Sequence, residues 1–364
     1  VSERPPKLHL PRERNGGALG WLLSRLLDGG LVTLWVAIYA ARELDAPGAP
    51  LVAMTVFLPQ LGLALIAASF VIWTLIPDRR TPPLVLAGAC VTVFVLWAPG
   101  WTANPETADG TPMKLVSWNV QRLWGDNADP KTCIAKTVGG LKPDVAVFLE
   151  ISAADAQDLA DRLGMRCVHT TYGAHDNHKS GGLATCARAP WSIRSSAPQR
   201  FTDEGAWQYQ RSELVNHDAV VNVLAVHLTP YRATEAMLHG GWEGLWRALT
   251  DGEPVAESQG RQSRALIEHL QGLSDPTIVA GDFNSTRDAA LHARLRAHLR
   301  DAWEIAGTGF GATVTVGDRV PLRVDHVYAS ERLAVADAVV PDTTCSDHKP
   351  VVVSFTLRPP TPTP

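Results

Sequence analysis

The sequence predicts an α/β protein: a two-sheet core with helices outside it, preceded by three transmembrane helices. Two observations predict this architecture. From Trp21 to Trp101 charged residues are sparse and confined to short breaks, whereas from Lys114 to Arg358 they recur in almost every block of ten. In that second half, short β-rich runs alternate with helical patterns, as they do when sheets carry helices on their outer faces.

The first half contains three apolar stretches, Trp21–Ala41, Leu51–Ile76 and Pro83–Trp101. Each approaches the roughly 20 apolar residues that a helix needs to cross a bilayer core. Arg25 and Asp28 interrupt the start of the first, so its span begins near Gly29. Several tryptophans, among them Trp97 and Trp101, stand near segment ends, where interfacial anchors are common. Three successive segments do not fit a cleaved signal peptide. Arg4, Lys7, Arg12 and Arg14 precede the first segment, and Arg79 and Arg80 separate the second from the third. Basic flanks stay cytoplasmic, so everything after Trp101 is expected outside the cell.

The expected domains are therefore a membrane domain at residues 1–101, a polar linker at 102–112, a catalytic domain at 113–358 and a Pro/Thr-rich tail at 359–364. Within the catalytic domain, strands are expected at Lys114–Asn119, Val145–Leu149, Arg166–Tyr172, Gly182–Arg188, Trp191–Phe201 and Trp207–Leu214. Further strands are expected at Val220–Leu228, Thr277–Ala280, Val324–Ala329 and Pro350–Leu357. Helical spacing falls near Pro130–Leu141, Ala153–Leu163, Gln262–Leu273 and Asp288–Leu299. Five cysteines give an odd count, with Cys90 inside an apolar segment. Cys133, Cys167, Cys186 and Cys345 have no metal-ligand spacing; they are either buried thiols or, in an exported domain, disulfides, with Cys167 and Cys186 the first pair to test.

Polar residues gather where these strands end. Asn119 and Gln121 close the first strand, Glu150 follows Val145–Leu149, and His227 lies near the end of the strand from Val220. Asp282 and Asn284 follow Thr277–Ala280, Asp325 opens the strand at Val324, and Asp347 and His348 precede the last. Phosphoester hydrolysis needs a Lewis acid on phosphoryl oxygens, an activated water and help for the leaving oxygen. Glu150, with Asn119 or Gln121 nearby, suits a hard cation such as Mg²⁺, which takes oxygen ligands. Asp325 is placed to hold His348, Asp282 to orient water, and Asn284 to donate to phosphate.

The order SWNVQ, FLE, the His of VHL, GDFNS, VDHV and SDHKPV resembles the endonuclease/exonuclease/phosphatase superfamily, over about Lys114 to Leu357. The resemblance implies a four-layer α/β/β/α sandwich of the deoxyribonuclease-I-like kind and dependence on Mg²⁺ or Mn²⁺. It implies metal contacts at Asn119, Glu150 and Asp347, and catalytic or phosphate-binding roles for His227, Asp282, Asn284, Asp325 and His348. Gln121 departs from the acid of many DNA-repair members, which puts a second carboxylate ligand there in doubt.

The net charge is −4 with no Lys/Arg run in the catalytic half, which disfavours a polynucleotide partner held by its phosphates. Three helices ahead of this domain resemble bacterial membrane members associated with resistance to glycopeptide antibiotics such as teicoplanin. That resemblance implies a phosphorylated membrane-lipid substrate, for example a lipid-linked pyrophosphate. The insert after His227 carries Leu238, Trp242, Leu245, Trp246 and Leu249 at helical spacing, either packed on the sheet or forming a lip that touches lipid. His175, His178 and Lys179 sit in a loop that is either solvated or a phosphate contact. An extracytoplasmic nuclease and an inactive ligand-binding membrane module are the alternatives.

Overall fold

The computed structural model describes residues 103–123, 129–172, 181–201, 208–230, 241–316 and 320–360, and Val36 before them; at 122, 241–254, 316 and 320 it describes the backbone only. The transmembrane helices expected between Trp21 and Trp101 lie outside the described residues apart from Val36, as does the loop carrying His175, His178 and Lys179. Among the described residues no helix is long and apolar enough to cross a membrane.

Two six-stranded sheets form the core. The first has β1 (Thr111–Asn119) and β2 (Val145–Leu149) parallel at its centre. They are flanked by β14 (Val351–Leu357) and β13 (Leu333–Val339) on one side, and by β4 (Gly182–Ala187) and β3 (Arg166–Thr171) on the other. The second repeats the plan, with β7 (Ala219–His227) parallel to β8 (Thr277–Asp282). Around that pair stand β5 (Ser192–Arg200) and β6 (Gln208–Asn216), then β12 (Asp325–Ala329) and β9 (Arg300–Asp301). A two-stranded ribbon joins β10 (Val314–Val316) to β11 (Val320–Leu322).

Parallel neighbours need a crossover, and helices supply it. The first is α1 (Pro130–Leu141); the second is α3 (Gly241–Gln271). Asp129 accepts from the Thr132 amide at the start of α1, with Pro130 in the first turn where no amide is needed. α2 (Ala153–Leu163) follows β2 and is capped by Ser152. α4 (Ala290–Arg296) and α5 (Ala302–Ala306) follow β8. The insert after His227 thus contributes to one continuous helix, while Leu238 and the side chains of Trp242, Leu245, Trp246 and Leu249 lie outside the described set.

Alternation along the central strands produces the layers. On β2, Val145, Val147 and Leu149 join a core between the sheets, while Ala146 and Phe148 pack under α1 and α2 with Ile134, Val138 and Leu159. On β7, Val223 and Ala225 face the inter-sheet core, while Leu224 and Val226 pack outward with Leu266 of α3 and Leu291 of α4. The order is helix, sheet, sheet, helix, the four-layer sandwich. Every residue of β2, β4 and β8 is buried, as strands covered on both faces must be.

Residues 104–110, expected in a linker, lie against this core. The Asn104 amide donates to Ile305, the Glu106 amide donates to Val335, and the Glu106 carboxylate takes Arg300 at 2.6 Å. Two disulfides close the cysteine question for the catalytic domain. Cys167 meets Cys186 directly across β3 and β4, and Cys133 of α1 is bonded to Cys345.

Candidate active site

The inward faces of the central strands are apolar until their last residues, where they turn polar together. Leu115 lies on the inner face of β1, and two steps of two later comes Asn119. The same parity carries β7 from Val223 and Ala225 to His227, and β8 from Ile278 and Ala280 to Asp282. Register sets His227 beside Asp282, and Asp282 beside Asp325 at the start of antiparallel β12. Asn119, His227, Asp282 and Asp325 are all buried. The site is the open end of the inter-sheet core.

Loops leaving these strands are bent by left-handed backbone. Gln121, Glu150 and Asn284 have φ of 46°, 54° and 49°. Such conformations cost on the order of 1–3 kcal/mol each in a non-glycine residue, and they persist where surrounding structure enforces them. Around Glu150 that enforcement is visible. Its amide donates to the Tyr172 hydroxyl at 2.8 Å, and Gly181 approaches so closely that a Cβ there would lie 2.8 Å from the Glu150 carbonyl carbon. On β8, Gly281 has φ +150°, and a Cβ there would strike the Val226 carbonyl oxygen.

Asn119 joins the two sheets. Its Nδ2 donates to Glu150 Oε1 at 3.1 Å and to Asp282 Oδ2 at 3.0 Å, while its Oδ1 accepts the Gln121 amide. Asp282 Oδ1 accepts the Asn284 amide at 2.8 Å, and the Asn284 side chain donates to Leu228 O. Burial first, and the charge of Asp325 second, push the Asp282 carboxyl up to about 6, against the opposing charges of His348 and His227.

The loop before β14 brings in Asp347 and His348. Ser346 Oγ donates to Asn119 O, Trp118 Nε1 donates to His348 O, and the Cys133–Cys345 disulfide ties the same loop to α1. His348 Nδ1 lies 2.8 Å from Asp325 Oδ2, and its Nε2 lies 3.8 Å from Asp282 Oδ2. Burial alone would lower the His348 imidazole, but Asp325, Asp282 and Asp347 outweigh it and hold the ring well above the ordinary histidine range. Asp347 stands at the exposed rim; partial desolvation and the charges of Glu150 and Asp325 raise its carboxyl.

His227 completes the group. Its Nδ1 is 2.8 Å from the Tyr172 hydroxyl, and its Nε2 is 3.6 Å from Asp282 Oδ2 and 3.8 Å from Glu150 Oε1. All eight residues expected from the sequence therefore belong to one end of the sandwich. Three further contributors carried no signal of their own. Tyr172 stood at the end of an expected strand. Thr313 accepts the Val324 and Asp325 amides through Oγ1. Gln259 of α3 donates to the carbonyls of Thr229 and Asn284.

The donor set fits a divalent cation. Asp282, Asp325 and His348 form a group whose ligand atoms lie within 4.8 Å of one another. Asp325 Oδ1 is buried with no hydrogen-bond partner among the described residues. Four carboxylates, Glu150, Asp282, Asp325 and Asp347, converge here, faced among the described residues by the imidazoles of His348 and His227, and hard oxygen donors suit Mg²⁺-like ions. An imidazole held protonated by Asp325 is a poor ligand, which leaves the carboxylates as the candidate donors.

Fold and site define a class, the divalent-metal-dependent hydrolases of phosphoester bonds. Residues 116–348 match the endonuclease/exonuclease/phosphatase family, and the chain belongs to it. Among solved structures, it is similar to the endonuclease/exonuclease/phosphatase from Bacteroides vulgatus (TM-score 0.53, 15% identity, covering 68% of this chain and 100% of that one). It is also similar to the human Nocturnin catalytic domain with bound sulfate anion (0.51, 18%, 71% and 98%) and to truncated Caenorhabditis elegans TDP2 (0.50, 18%, 68% and 100%). These identities speak for the fold. UPF0294 protein VV2535 of Vibrio vulnificus (strain YJ016) is 37% identical over 97 residues, which is 27% of this chain and 33% of that protein. The chain thus matches about a third of the length of that curated relative.

Proposed function

We propose that this chain hydrolyses a lipid-linked phosphate or pyrophosphate at the outer face of the membrane, using Mg²⁺ or Mn²⁺. The observation that carries the phosphoesterase reading is the convergence of Asn119, Glu150, Asp282 and the Asp325–His348 pair at the mouth of the sandwich. A bound cation would polarise a phosphoryl oxygen as a Lewis acid. The protein groups supply the rest. Asp282, buried and oriented by the Asn119 and Asn284 donors, takes a proton from the attacking water; a carboxyl near neutrality can do this and release it again. His348, kept cationic by Asp325, presents Nε2–H to a phosphoryl oxygen, and His227 assists the leaving oxygen. Asn284 would add a phosphate contact through the Nδ2 proton that Leu228 O does not take.

Three features support the lipid substrate and the outer face. The apolar stretches before residue 102 would tether the site to a bilayer. Disulfides such as Cys133–Cys345 and Cys167–Cys186 persist mainly in oxidising compartments. The net charge of −4, without a basic run, leaves little to grip a polynucleotide. The test is phosphate release from undecaprenyl pyrophosphate by the full-length chain in detergent, with Mg²⁺ or EDTA, alongside plasmid nicking. Release that needs metal and disappears in His348→Ala, with plasmid intact, is expected. Metal-dependent nicking without phosphate release would establish a surface nuclease instead.

A further inference from the structure

We infer that Gln259 is a positioning residue: its side-chain amide holds the loops leaving β7 and β8 against α3, and so fixes where His227 and Asn284 stand. The inference rests on the reading of this site as a phosphoesterase centre, and its first measurement needs no activity.

The buried stripe of α3 changes character along its length. Where it covers the second sheet it is apolar, with Leu266 in the outer core. One to two turns earlier come Ser263, Gln262 and Gln259, all buried, while Glu257 and Arg261 are exposed. A buried amide is costly unless it is bonded. Here the glutamines are bonded to the chain just past the ends of β7 and β8.

Thr229, two residues after His227, is held by α3 at its amide, its carbonyl and its hydroxyl. The amide donates to Gln262 Oε1 at 3.0 Å, Oγ1 lies 2.9 Å from Ser258 Oγ, and the carbonyl accepts Gln259 Nε2 at 2.8 Å. Gln259 Nε2 also donates to Asn284 O at 3.2 Å, with Phe283 O at 3.4 Å. An amide nitrogen carries two protons, so one side chain serves both loops. Asn284 sits at a left-handed φ of 49°, a conformation that persists where its surroundings enforce it.

The two loops are also bonded to each other, from Leu228 N to Asp282 O and from Asn284 Nδ2 to Leu228 O. Those bonds make the loops a pair without attaching the pair to the helix layer. Ser258 and Gln262 reach the first loop, and Gln259 reaches both. The donor that His227 offers and the phosphate contact of Asn284 are thereby set at one height by the helix outside them.

Hydrogen exchange of the full-length chain, read on peptides spanning residues 227–230, 282–285 and 130–141, tests this. Methionine keeps the length of glutamine and donates nothing. Gln259→Met should raise exchange about 10-fold in both loops, the equivalent of one lost hydrogen bond, and leave α1 as in wild type. Ser258→Ala should leave 282–285 unchanged. With bis(4-nitrophenyl) phosphate and Mg²⁺, kcat/KM of Gln259→Met should fall about 10- to 100-fold, the effect of displaced groups. Combined with Asn284→Ala, the loss should be smaller than the product of the two, because part of each is the same phosphate contact. Wild-type exchange in either loop overturns the inference, as does an equal rise in α1, which would mark general destabilisation. So does a Ser258→Ala protein that loosens both loops as much as Gln259→Met, or losses that multiply. Where the methionine variant does not fold, Gln259→Glu, the same shape with no proton to give when ionised, is read by the same outcomes. The expected exchange pattern in a protein that cleaves no phosphoester leaves the clamp standing and overturns the phosphoesterase reading.

Discussion

Strand β12 places two acid–histidine groups back to back, and they differ in what balances their charge. Asp325 faces inward to His348, with Asp282 beside it. Its neighbour His326 faces outward, toward Asp301 at 3.7 Å, a separation at which charge acts but a hydrogen bond does not. Asp301 is already matched by Arg323, whose nitrogens donate to both carboxylate oxygens at 3.2 and 3.0 Å. Desolvation opposes Asp301's charge, yet Arg323 holds its carboxyl well below the ordinary range. His326 is kept neutral by burial and by Arg323, and His292 by burial and by His326. His292 is spent on structure, with Ser285 at 3.0 Å and Tyr328 at 2.7 Å.

Among the described residues the inward group has no arginine. Its balancing charge is a titratable ring, and a carboxyl is left near 6. An acid–histidine pair alone therefore does not identify chemistry. The distinguishing feature is whether a permanent cation has already closed the account of charge.

The largest expected effect comes from the inward group. His348→Ala should lower kcat by about 10²- to 10⁴-fold, measured as phosphate release, while the circular-dichroism spectrum stays that of the folded protein. A comparable loss from His326→Gln would abolish the distinction drawn between the two faces of β12.

Next is the outward group, read in stability. Arg323→Met strands a buried carboxylate, and breaking such a pair costs about 3–5 kcal/mol. Chemical denaturation should show this drop, while kcat per folded molecule stays close to wild type. Unchanged stability would mean that Asp301 finds another partner.

The smallest effect is a difference of sign in metal-free protein. His348 has a folded-state value above its unfolded one, so its stabilisation is present below about pH 6.5 and lost as pH rises through the folded value. For His292 the folded value is lower. The unfolded chain then binds more protons, and stability falls as pH drops below about 6.5. Melting temperatures across pH should flatten on the alkaline limb in His348→Asn and on the acid limb in His292→Gln. Flattening on the same limb in both variants would refute the assignment of opposite signs.

Much of this site was legible along the chain. Each motif is contiguous, and its polar residue follows a short apolar run that already reads as a buried strand. Thus Glu150 after Val145–Leu149 and Asp282 at the end of Thr277–Asp282 needed no partner to be noticed. Elements without that local pattern were missed. β13 shifts register between Val335 and Asp337, which breaks its alternation, and β9, β10 and β11 are too short to show a period. Residues 104–110 read as linker because their anchors, Val335, Arg300 and Ile305, lie some 200 residues away.

Local order along the chain was thus enough for the layers, the strand ends and the identity of the polar groups that close them, because burial on a strand repeats within a few residues. It was silent on charge balance. That Asp325 meets His348 while His326 meets the Asp301–Arg323 pair depends on which face of one strand each side chain occupies and on what the rest of the chain delivers there. Tyr172 reaches His227 across 55 residues, and Cys133 reaches Cys345 across 212. Electrostatic interactions act through space rather than along the chain, so the folded arrangement gave one histidine a carboxylate partner of its own and set the other beside an ion pair already matched.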